Sequence, residues 1–141
     1  MYKGAGILLI RREEGKTRIL LGKRTIRPHK NFWSLSGGKM DGKDGGDFHQ
    51  CALRETAEEL FLGATGEFEK LRNLTPLGSA GIYLPFNFQW KTYFYEVSHL
   101  DLGFRHNHEF SEIEWFDIEK LPEKTHYGIV YALWKLRSIR Y

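Results

Sequence analysis

One helical run, from about Asp47 to Leu62, constrains the fold of this chain more than any other segment. Asp47 is a favoured residue for a helix N-cap, and Gln50 three positions later completes a capping-box pattern. At about 100° per residue, Glu55, Glu58 and Glu59 fall within roughly 100° of arc on one face. Apolar residues occupy the opposite side (Leu53, Ala57, Leu60) and also flank the acids (Phe48, Cys51). The pattern predicts a helix pressed between layers, with its acids in a crevice.

Three carboxylates on one helical face have two physical interpretations. For a partly buried pair about 5 Å apart, at an effective dielectric constant of about 20, the repulsion is of order 3 kcal/mol. A divalent cation such as Mg²⁺, which takes oxygen ligands, would turn that repulsion into a binding site. The alternative is a solvated acidic face, where a like-charge pair costs only a few tenths of a kcal/mol. The helix alone leaves both open.

The remaining segments predict strands, loops and a second principal helix. Strands are expected at 4–11, 18–24 and 113–116, with two or three more within 74–83 and 86–97, and a helix at about 125–137. Residues 25–32, 41–46 and 98–108 are predicted loops, the glycine-rich second one flexible, and 63–72 is a polar stretch. The fold class predicted from the residues is therefore α/β, a mixed sheet sandwiched by helices, in a single domain over residues 1–141.

Composition excludes some classes of protein and favours others. No apolar run reaches the length of about 18 residues that a membrane helix needs. The apolar segment 4–10 turns charged at Arg11 and is predicted to be a strand instead of a signal peptide. One cysteine, Cys51, excludes an internal disulfide and favours a reducing compartment, with the cytoplasm as the expected location.

Charge is distributed unevenly, although the net charge is only +3. Residues 23–43 carry six basic side chains against one acid, and residues 44–59 carry five acids against one base. Such an arrangement suits a phosphate ligand bridged to a metal, but two unrelated surface patches would look the same. The chain has no helix-turn-helix, zinc ligand set or sustained basic stripe, which argues against a nucleic-acid-binding module.

The segment Gly37-Gly38-Lys39 followed by Arg54-Glu55-Thr56-Ala57-Glu58-Glu59-Leu60 resembles the signature box of the Nudix hydrolases. Lys23-Arg24, Trp33-Ser34-Leu35, Glu114-Trp115-Phe116 and Leu121-Pro122 resemble the flanking features of that family, so that the resemblance covers nearly the whole chain. The loop between glycine and arginine is two residues longer than in the box, and Asp44 is the best replacement for the box glutamate. Phe61 and Ser36 stand where glycine and proline are usual, and Phe61 is expected to alter how the helix ends.

The resemblance implies a Nudix-type α/β/α sandwich and a MutT-like pyrophosphohydrolase. It would cleave a nucleoside diphosphate linked to another group, with Mg²⁺ or Mn²⁺ as cofactor. The resemblance implies that Glu58 and Glu59 bind metal, that Glu55 binds metal or acts as the base, and that Arg54 orients Glu55. It adds the carbonyl of Gly37 as a metal ligand and Glu109, favoured over Glu112, as a further ligand or the base. A solvated loop acid is the alternative for Glu109.

Substrate contacts are expected from the basic and aromatic residues that precede the helix, chiefly Arg24, Arg27, Phe32, Trp33 and Lys39. His29 and Lys30 are further candidates for phosphate contacts, and Tyr83 and Phe86 for stacking on a base, although each aromatic side chain can equally be core. The expected partner is a small nucleotide, and the chain is expected to be a monomer or homodimer. The second functional hypothesis is a Nudix-fold domain that binds a nucleotide without cleaving it, as a regulator.

Overall fold

The computed structural model describes residues 1–63 and 65–139. In this part of the chain, seven strands form one mixed sheet: Tyr2–Glu13 (β1), Lys16–Arg24 (β2), Trp33–Ser34 (β3), Ser36–Lys39 (β4), Gly78–Leu84 (β5), Phe88–Glu96 (β6) and Phe110–Asp117 (β7). The α-helices are Phe48–Phe61 (α1), Gly66–Arg72 (α2) and Tyr127–Ser138 (α3). No helix in the described residues has the length and apolar character needed to cross a membrane.

Strand β1 is the centre of the sheet. It runs parallel to β6 from Tyr2 to Ile10, and β6 is followed by the edge strand β5. On its other side, β1 pairs antiparallel with β4 from Gly4 to Ile7 and with β2 from Ile10 to Glu13. Two short segments therefore share one edge of β1, and β4 is held at the middle of the sheet, where it lies under α1.

Burial on both faces of β1 explains its continuous apolar sequence. Ile7 and Leu9 pack in one hydrophobic cluster with α1 and α2, whereas Leu8 and Ile10 pack in another with α3. Since successive side chains of a strand point to opposite faces, α1 and α3 cover opposite sides of the sheet. The predicted α/β/α sandwich with a mixed sheet is confirmed.

Helix α1 matches the predicted run closely. The Asp47 side chain caps it by accepting hydrogen bonds from the backbone N–H groups of His49 and Gln50. At the other end, Phe61 stays helical and buried, and Leu62 takes the left-handed conformation with φ of 52°. The Gly63 N–H then donates to the carbonyl of Ala57 at 2.7 Å. The cap that a glycine at position 61 would supply is thus displaced toward Leu62 and Gly63.

Two predicted segments differ from the structure. The polar stretch 63–72 contains α2, which Thr65 caps and whose Phe68 and Leu71 are buried against α1. The loop 41–46, predicted to have little secondary structure, contains a 3₁₀ turn at Gly42–Asp44, with Asp41 as its cap. Segments 74–83 and 86–97 contribute two strands, in agreement with the predicted two or three. Cys51 is buried and free, and the cytoplasmic location stays a prediction.

Candidate active site

Three carboxylates converge beside helix α1. Glu55, Glu59 and Glu109 each offer an oxygen, and these oxygens all lie within 4.8 Å of one another. Glu55 and Glu59 come from α1, and Glu109 comes from the loop that leads into β7. The structure thus brings together three of the predicted site residues from two distant parts of the sequence.

The loop that carries Glu109 is fastened to α1 by backbone hydrogen bonds. The N–H of Asn107 donates to the carbonyl of Glu59 at 3.0 Å, and the N–H of Arg105 donates to that of Leu60 at 2.7 Å. The Asn107 side chain in turn accepts from the N–H of Glu109 at 2.9 Å. These contacts hold Glu109 beside the helix even though the segment has no regular secondary structure.

Glu59 is the most buried member of this group, with 3% of its surface exposed. Its Oε1 accepts a hydrogen bond from the backbone N–H of Gly37 at 2.6 Å. Burial, with the nearby Glu109 charge as the next cause, raises the pKa of Glu59 to about 10. Burial also raises the pKa of Glu55 to about 6, against the opposing effect of Arg54. Burial thus outweighs the Arg54 charge at Glu55 and the Gly37 hydrogen bond at Glu59, so that the charge of both carboxylates is only partly compensated by the described residues.

A divalent cation fits this donor set. The three ligand atoms are carboxylate oxygens, which Mg²⁺ and Mn²⁺ prefer, and they are close enough to share one ion. A bound cation would supply positive charge and so offset both the burial of these carboxylates and their mutual repulsion. The residues present are thus compatible with the cofactor that the sequence predicts.

Arg54 organises the outer side of this group through a two-point ion pair with Asp44. Its Nε donates to Asp44 Oδ1 at 2.9 Å and its Nη2 to Asp44 Oδ2 at 3.0 Å. Asp44 is buried in the 3₁₀ turn, and the guanidinium lowers the pKa of its carboxyl. The same Nη2 donates to the carbonyl of Lys39 at 3.1 Å. Arg54 therefore connects the loop after β4 to helix α1.

The free edge of Arg54 faces two of the helix glutamates. Its Nη1 lies 3.2 Å from Glu55 Oε1 and 3.4 Å from Glu58 Oε1. Glu58 is outside the group of three, and its side chain is 48% exposed. Its predicted metal contact stays a prediction, since in this structure its contact is with Arg54.

Two glycines let β4 approach the acids. A Cβ at position 38 would lie 2.6 Å from Cδ of Glu55, and one at position 37 would lie 2.6 Å from the carbonyl oxygen of Ala5. Neither position has room for a side chain, because the backbone is packed between β1 and α1. The role of the Gly37 carbonyl as a metal ligand stays a prediction, while its N–H binds Glu59.

The predicted substrate residues are dispersed. Arg24 lines a cavity and donates from Nε to the carbonyl of Pro28 at 3.1 Å. Trp33 packs edge-on against Phe116, with ring centroids 4.8 Å apart, and belongs to the core on the α3 side. Arg27 and Lys39 are exposed, and Phe32 is half-buried near His29. Tyr83 and Phe86 are exposed, Phe86 by 92%.

The cavity, of about 610 Å³, lies between the sheet and the start of α3. Aromatic side chains from four segments form much of its wall, and basic groups lie among them: Tyr2, Arg24, His29, Phe88, Trp90, His126, Tyr127 and Tyr131. Ser34 and Leu35 also line it, and they immediately precede β4, which carries Gly37 and Gly38. One short segment of chain, residues 34–38, therefore lines the cavity at its start and lies against two of the three carboxylates at its end.

Sequence reasoning did not identify Tyr2, Trp90, His126 or Tyr127 as site residues. Trp90 stands in an aromatic strand, and that pattern predicts β structure without saying which face binds a ligand. His126 and Tyr127 begin α3, where the pattern predicts only an amphipathic helix. Their common position follows from the topology alone.

Comparisons with known proteins agree with this architecture. A family model described as a NUDIX domain matches residues 2–133. None of the curated proteins matches the sequence significantly.

Several solved structures share the fold at low sequence identity. An Ap4A hydrolase from C. elegans, in a binary complex, is 22% identical with a TM-score of 0.72, over 96% of this chain and 96% of that chain. A Nudix hydrolase from M. smegmatis, RenU, is 23% identical with a TM-score of 0.71, over 98% of this chain and 84% of that chain. A bifunctional NMN adenylyltransferase/ADP ribose pyrophosphatase from Francisella tularensis, complexed with AMP and a Mn ion, is 18% identical with a TM-score of 0.71, over 95% of this chain and 41% of that chain.

Proposed function

This chain belongs to the NUDIX hydrolase family, whose enzymes act on phosphoanhydride bonds, and we propose that it hydrolyses a nucleoside diphosphate linked to another group in a Mg²⁺- or Mn²⁺-dependent reaction. One observation carries the proposal: Glu55 and Glu59, on the helix that bears the family motif, and Glu109, in the loop before β7, present oxygens within 4.8 Å of one another. Residues 1–141 act as one catalytic domain in this proposal, and the partner is a small nucleotide.

The residues of this chain divide the work between holding the cofactor and preparing the water. Glu55, Glu59 and Glu109 would hold the cation, with Glu58 and the Gly37 carbonyl as the further ligands expected from the family motif. When bound, the cation offsets the negative charge of the diphosphate and acidifies the attacking water. Glu55 or Glu109 accepts a proton from that water as general base. Arg54 positions Glu55, from which its Nη1 lies 3.2 Å away.

The cavity between the sheet and α3 supports a substrate with a flat organic group. Its walls are largely aromatic and aliphatic, and stacking on such walls is favourable for a nucleobase. One structural neighbour is a hydrolase of Ap4A and another was solved with ADP ribose, and both compounds join adenosine to a chain of phosphates. We therefore propose that the base enters the cavity while the diphosphate lies at the carboxylates.

A metal-dependent substrate panel tests this function. Nucleoside triphosphates, nucleotide sugars, ADP-ribose and dinucleoside polyphosphates are incubated with Mg²⁺, with Mn²⁺ or with EDTA, and the phosphorylated products are identified. We expect turnover of at least one compound with metal and none with EDTA. Glu59→Gln should reduce kcat by at least a hundredfold. The matched control is Glu112→Gln, at an exposed position of β7 outside the group of three, and it should leave kcat within twofold.

The same panel tests the regulatory alternative. A NUDIX domain from Shewanella oneidensis NrtR was solved in complex with ADP ribose, 16% identical to this chain with a TM-score of 0.56. Binding of a nucleotide without turnover in either metal would contradict the enzyme proposal and favour a nucleotide-binding regulator. Size-exclusion chromatography with light scattering would distinguish a monomer from the homodimer.

A further inference from the structure

His126, at the start of α3, has a side chain whose tautomer is fixed by the fold. The backbone N–H of Gly128 donates to its Nδ1 at 3.0 Å. Since a backbone N–H can only donate, Nδ1 must be the unprotonated nitrogen. The neutral imidazole therefore carries its proton on Nε2, and that nitrogen is a hydrogen-bond donor.

The ring is also held in place on several sides. Tyr127 stacks against it, with ring centroids 4.3 Å apart and 27° between the planes. His29 meets it edge-on, with centroids 4.6 Å apart and 90° between the planes. The backbone N–H of His126 donates to the carbonyl of Trp33 at 2.9 Å, which ties the start of α3 to the sheet. Neither the position of the ring nor its tautomer is left free.

The Nε2 atom is accessible and has no hydrogen-bond partner among the described residues. His126 is one of the residues that line the cavity. Among the described residues, its side chain makes one hydrogen bond, the one that Nδ1 accepts. No fully buried side-chain nitrogen or oxygen among the described residues lacks a partner, so the unpartnered Nε2 must be accessible. An accessible hydrogen-bond donor with a fixed tautomer thus belongs to a residue that lines a largely apolar pocket.

The groups around this donor suit a ligand acceptor. The charged or titratable side chains lining the cavity are those of Tyr2, Arg24, His29, Tyr127 and Tyr131, and no Asp or Glu is among its described lining residues. No carboxylate there competes for the Nε2 proton or stabilises a second proton on the ring. Burial, followed by His29 and Arg24, lowers the pKa of His126 to about 4, so that the ring is neutral near pH 7.

We propose that His126 is a specificity-determining residue, which donates from Nε2 to an acceptor atom on the heteroaromatic ring of the substrate bound in the cavity. This inference rests on the proposed function, because it assumes that the cavity takes the base of a nucleotide. A fixed donor favours a base edge with a ring nitrogen or carbonyl oxygen at that point and disfavours one with an amino group. His126 thereby contributes to the choice between bases without taking part in the cleavage.

Two substitutions separate the recognition role from the capping role. His126→Ser keeps an N-cap acceptor and removes the Nε2 donor. His126→Gln places an amide donor near the Nε2 position and weakens the cap. The control is His99→Ser, at an exposed position outside the cavity.

Binding of AMP, GMP, CMP and UMP to the metal-free protein is measured by calorimetry, and ¹⁵N NMR of the histidine rings reports the tautomer. Because these probes need no turnover, their binding can succeed even if the hydrolase proposal fails. We expect at least one monophosphate to bind, with a Kd raised about tenfold by His126→Ser and less by His126→Gln. In thermal unfolding, the glutamine variant should have a lower Tm than the serine variant, because serine keeps the N-cap acceptor. His99→Ser should bind like the wild type.

Three outcomes would overturn the proposal. The first is a proton on Nδ1 instead of Nε2 in the NMR spectrum. The second is that His126→Ser leaves the Kd of all four monophosphates unchanged or raises all four by the same factor. The third is that none of the four monophosphates perturbs the resonances of His126 and Tyr127. If the substrate panel also shows no turnover, the proposed function is contradicted. If the panel shows turnover while one of these three outcomes is observed, only the proposed role of His126 is contradicted.

Discussion

Asp44 and Arg54 form a two-point ion pair, with Oδ1 2.9 Å from Nε and Oδ2 3.0 Å from Nη2. The pair closes a loop that is two residues longer than the family box and has aspartate where the box has glutamate. The 3₁₀ turn at Gly42–Asp44 brings the shorter side chain to the guanidinium. Asp44 thus reaches the guanidinium from this turn, while Nη1 of Arg54 is oriented toward Glu55.

We expect Asp44→Asn to lower both stability and activity. The substitution leaves the Arg54 charge without its main partner, and breaking a buried pair costs about 3–5 kcal/mol. Because the Arg54 side chain is 19% exposed, water partly solvates its charge after the substitution. We therefore expect the free energy of unfolding, measured in urea, to fall by about 2 kcal/mol. The kcat should fall about tenfold, because Glu55 loses its orientation.

The control for this prediction is Asp41→Asn, since the Asp41 carboxylate lies 3.7 Å from the same guanidinium but is exposed. It should cost well under half as much free energy of unfolding. Equal effects of the two substitutions would show that Asp44 has no special role.

A methyl group at position 38 should disturb Glu55 directly. In Gly38→Ala the new Cβ would lie 2.6 Å from Cδ of Glu55, which must move away from Glu59 and Glu109. A displacement of about 1 Å in an active site can cost about a hundredfold in rate. We expect kcat to fall at least tenfold, with circular dichroism unchanged.

Gly42→Ala is the matched control, since a Cβ there meets no atom within 4 Å. Its kcat should equal that of the wild type. Full activity of Gly38→Ala would mean that Glu55 is not required at its present position.

Sequence features with local physical causes predicted much of this structure. Helix α1 was evident because its cap at Asp47 and its buried residues follow the helical period. The importance of Glu109 followed only from its spacing in the family, since nothing in a loop sequence places it beside α1. The helix α2 was missed because its polar and glycine residues conceal the two buried positions, Phe68 and Leu71.

The cavity could not be predicted for a different reason. Its wall combines Tyr2, Arg24, Trp90 and His126, which are far apart in sequence and meet only through the parallel pairing of β1 with β6 and the return of α3. No local pattern marks them. Trp33 packs against Phe116, as an aromatic side chain in a core does, and its role as a substrate contact stays a prediction.

Replacing Glu58 should separate activity from stability. Glu58 is half-exposed, and its contact with Arg54 at 3.4 Å is of the kind that contributes about 0–1 kcal/mol. Glu58→Gln should therefore unfold at nearly the wild-type urea concentration. We expect it to lose most of its activity with Mg²⁺, as the family motif implies for a metal ligand. Normal turnover by this variant would contradict the assignment of Glu58 to the metal site.

Metal should stabilise the fold through the three carboxylates. Binding to the folded state alone contributes about 2.7 kcal/mol at a free metal concentration one hundred times the Kd. We expect Mg²⁺ or Mn²⁺ to raise the Tm of the wild type by several degrees relative to EDTA, and to raise that of Glu59→Gln much less. The Glu112→Gln control should respond like the wild type. A full response in Glu59→Gln would place the stabilising ion elsewhere.

The free energy of unfolding should depend on pH through the titration of His126. In the unfolded chain this histidine binds a proton below a pH of about 6.5. In the folded protein its pKa is about 4, first because of burial and then because of His29 and Arg24. Between these values the unfolded state binds more protons, so that stability falls as the pH is lowered from about 6.5 toward 4 and the loss levels off below that. Urea unfolding at pH 7, 5.5 and 4.5 measures the effect, and His126→Gln removes the titrating group. The difference in unfolding free energy between wild type and variant should shrink steadily as the pH falls, because only the wild type loses this contribution. A difference that stays constant with pH would show that His126 is protonated equally in both states.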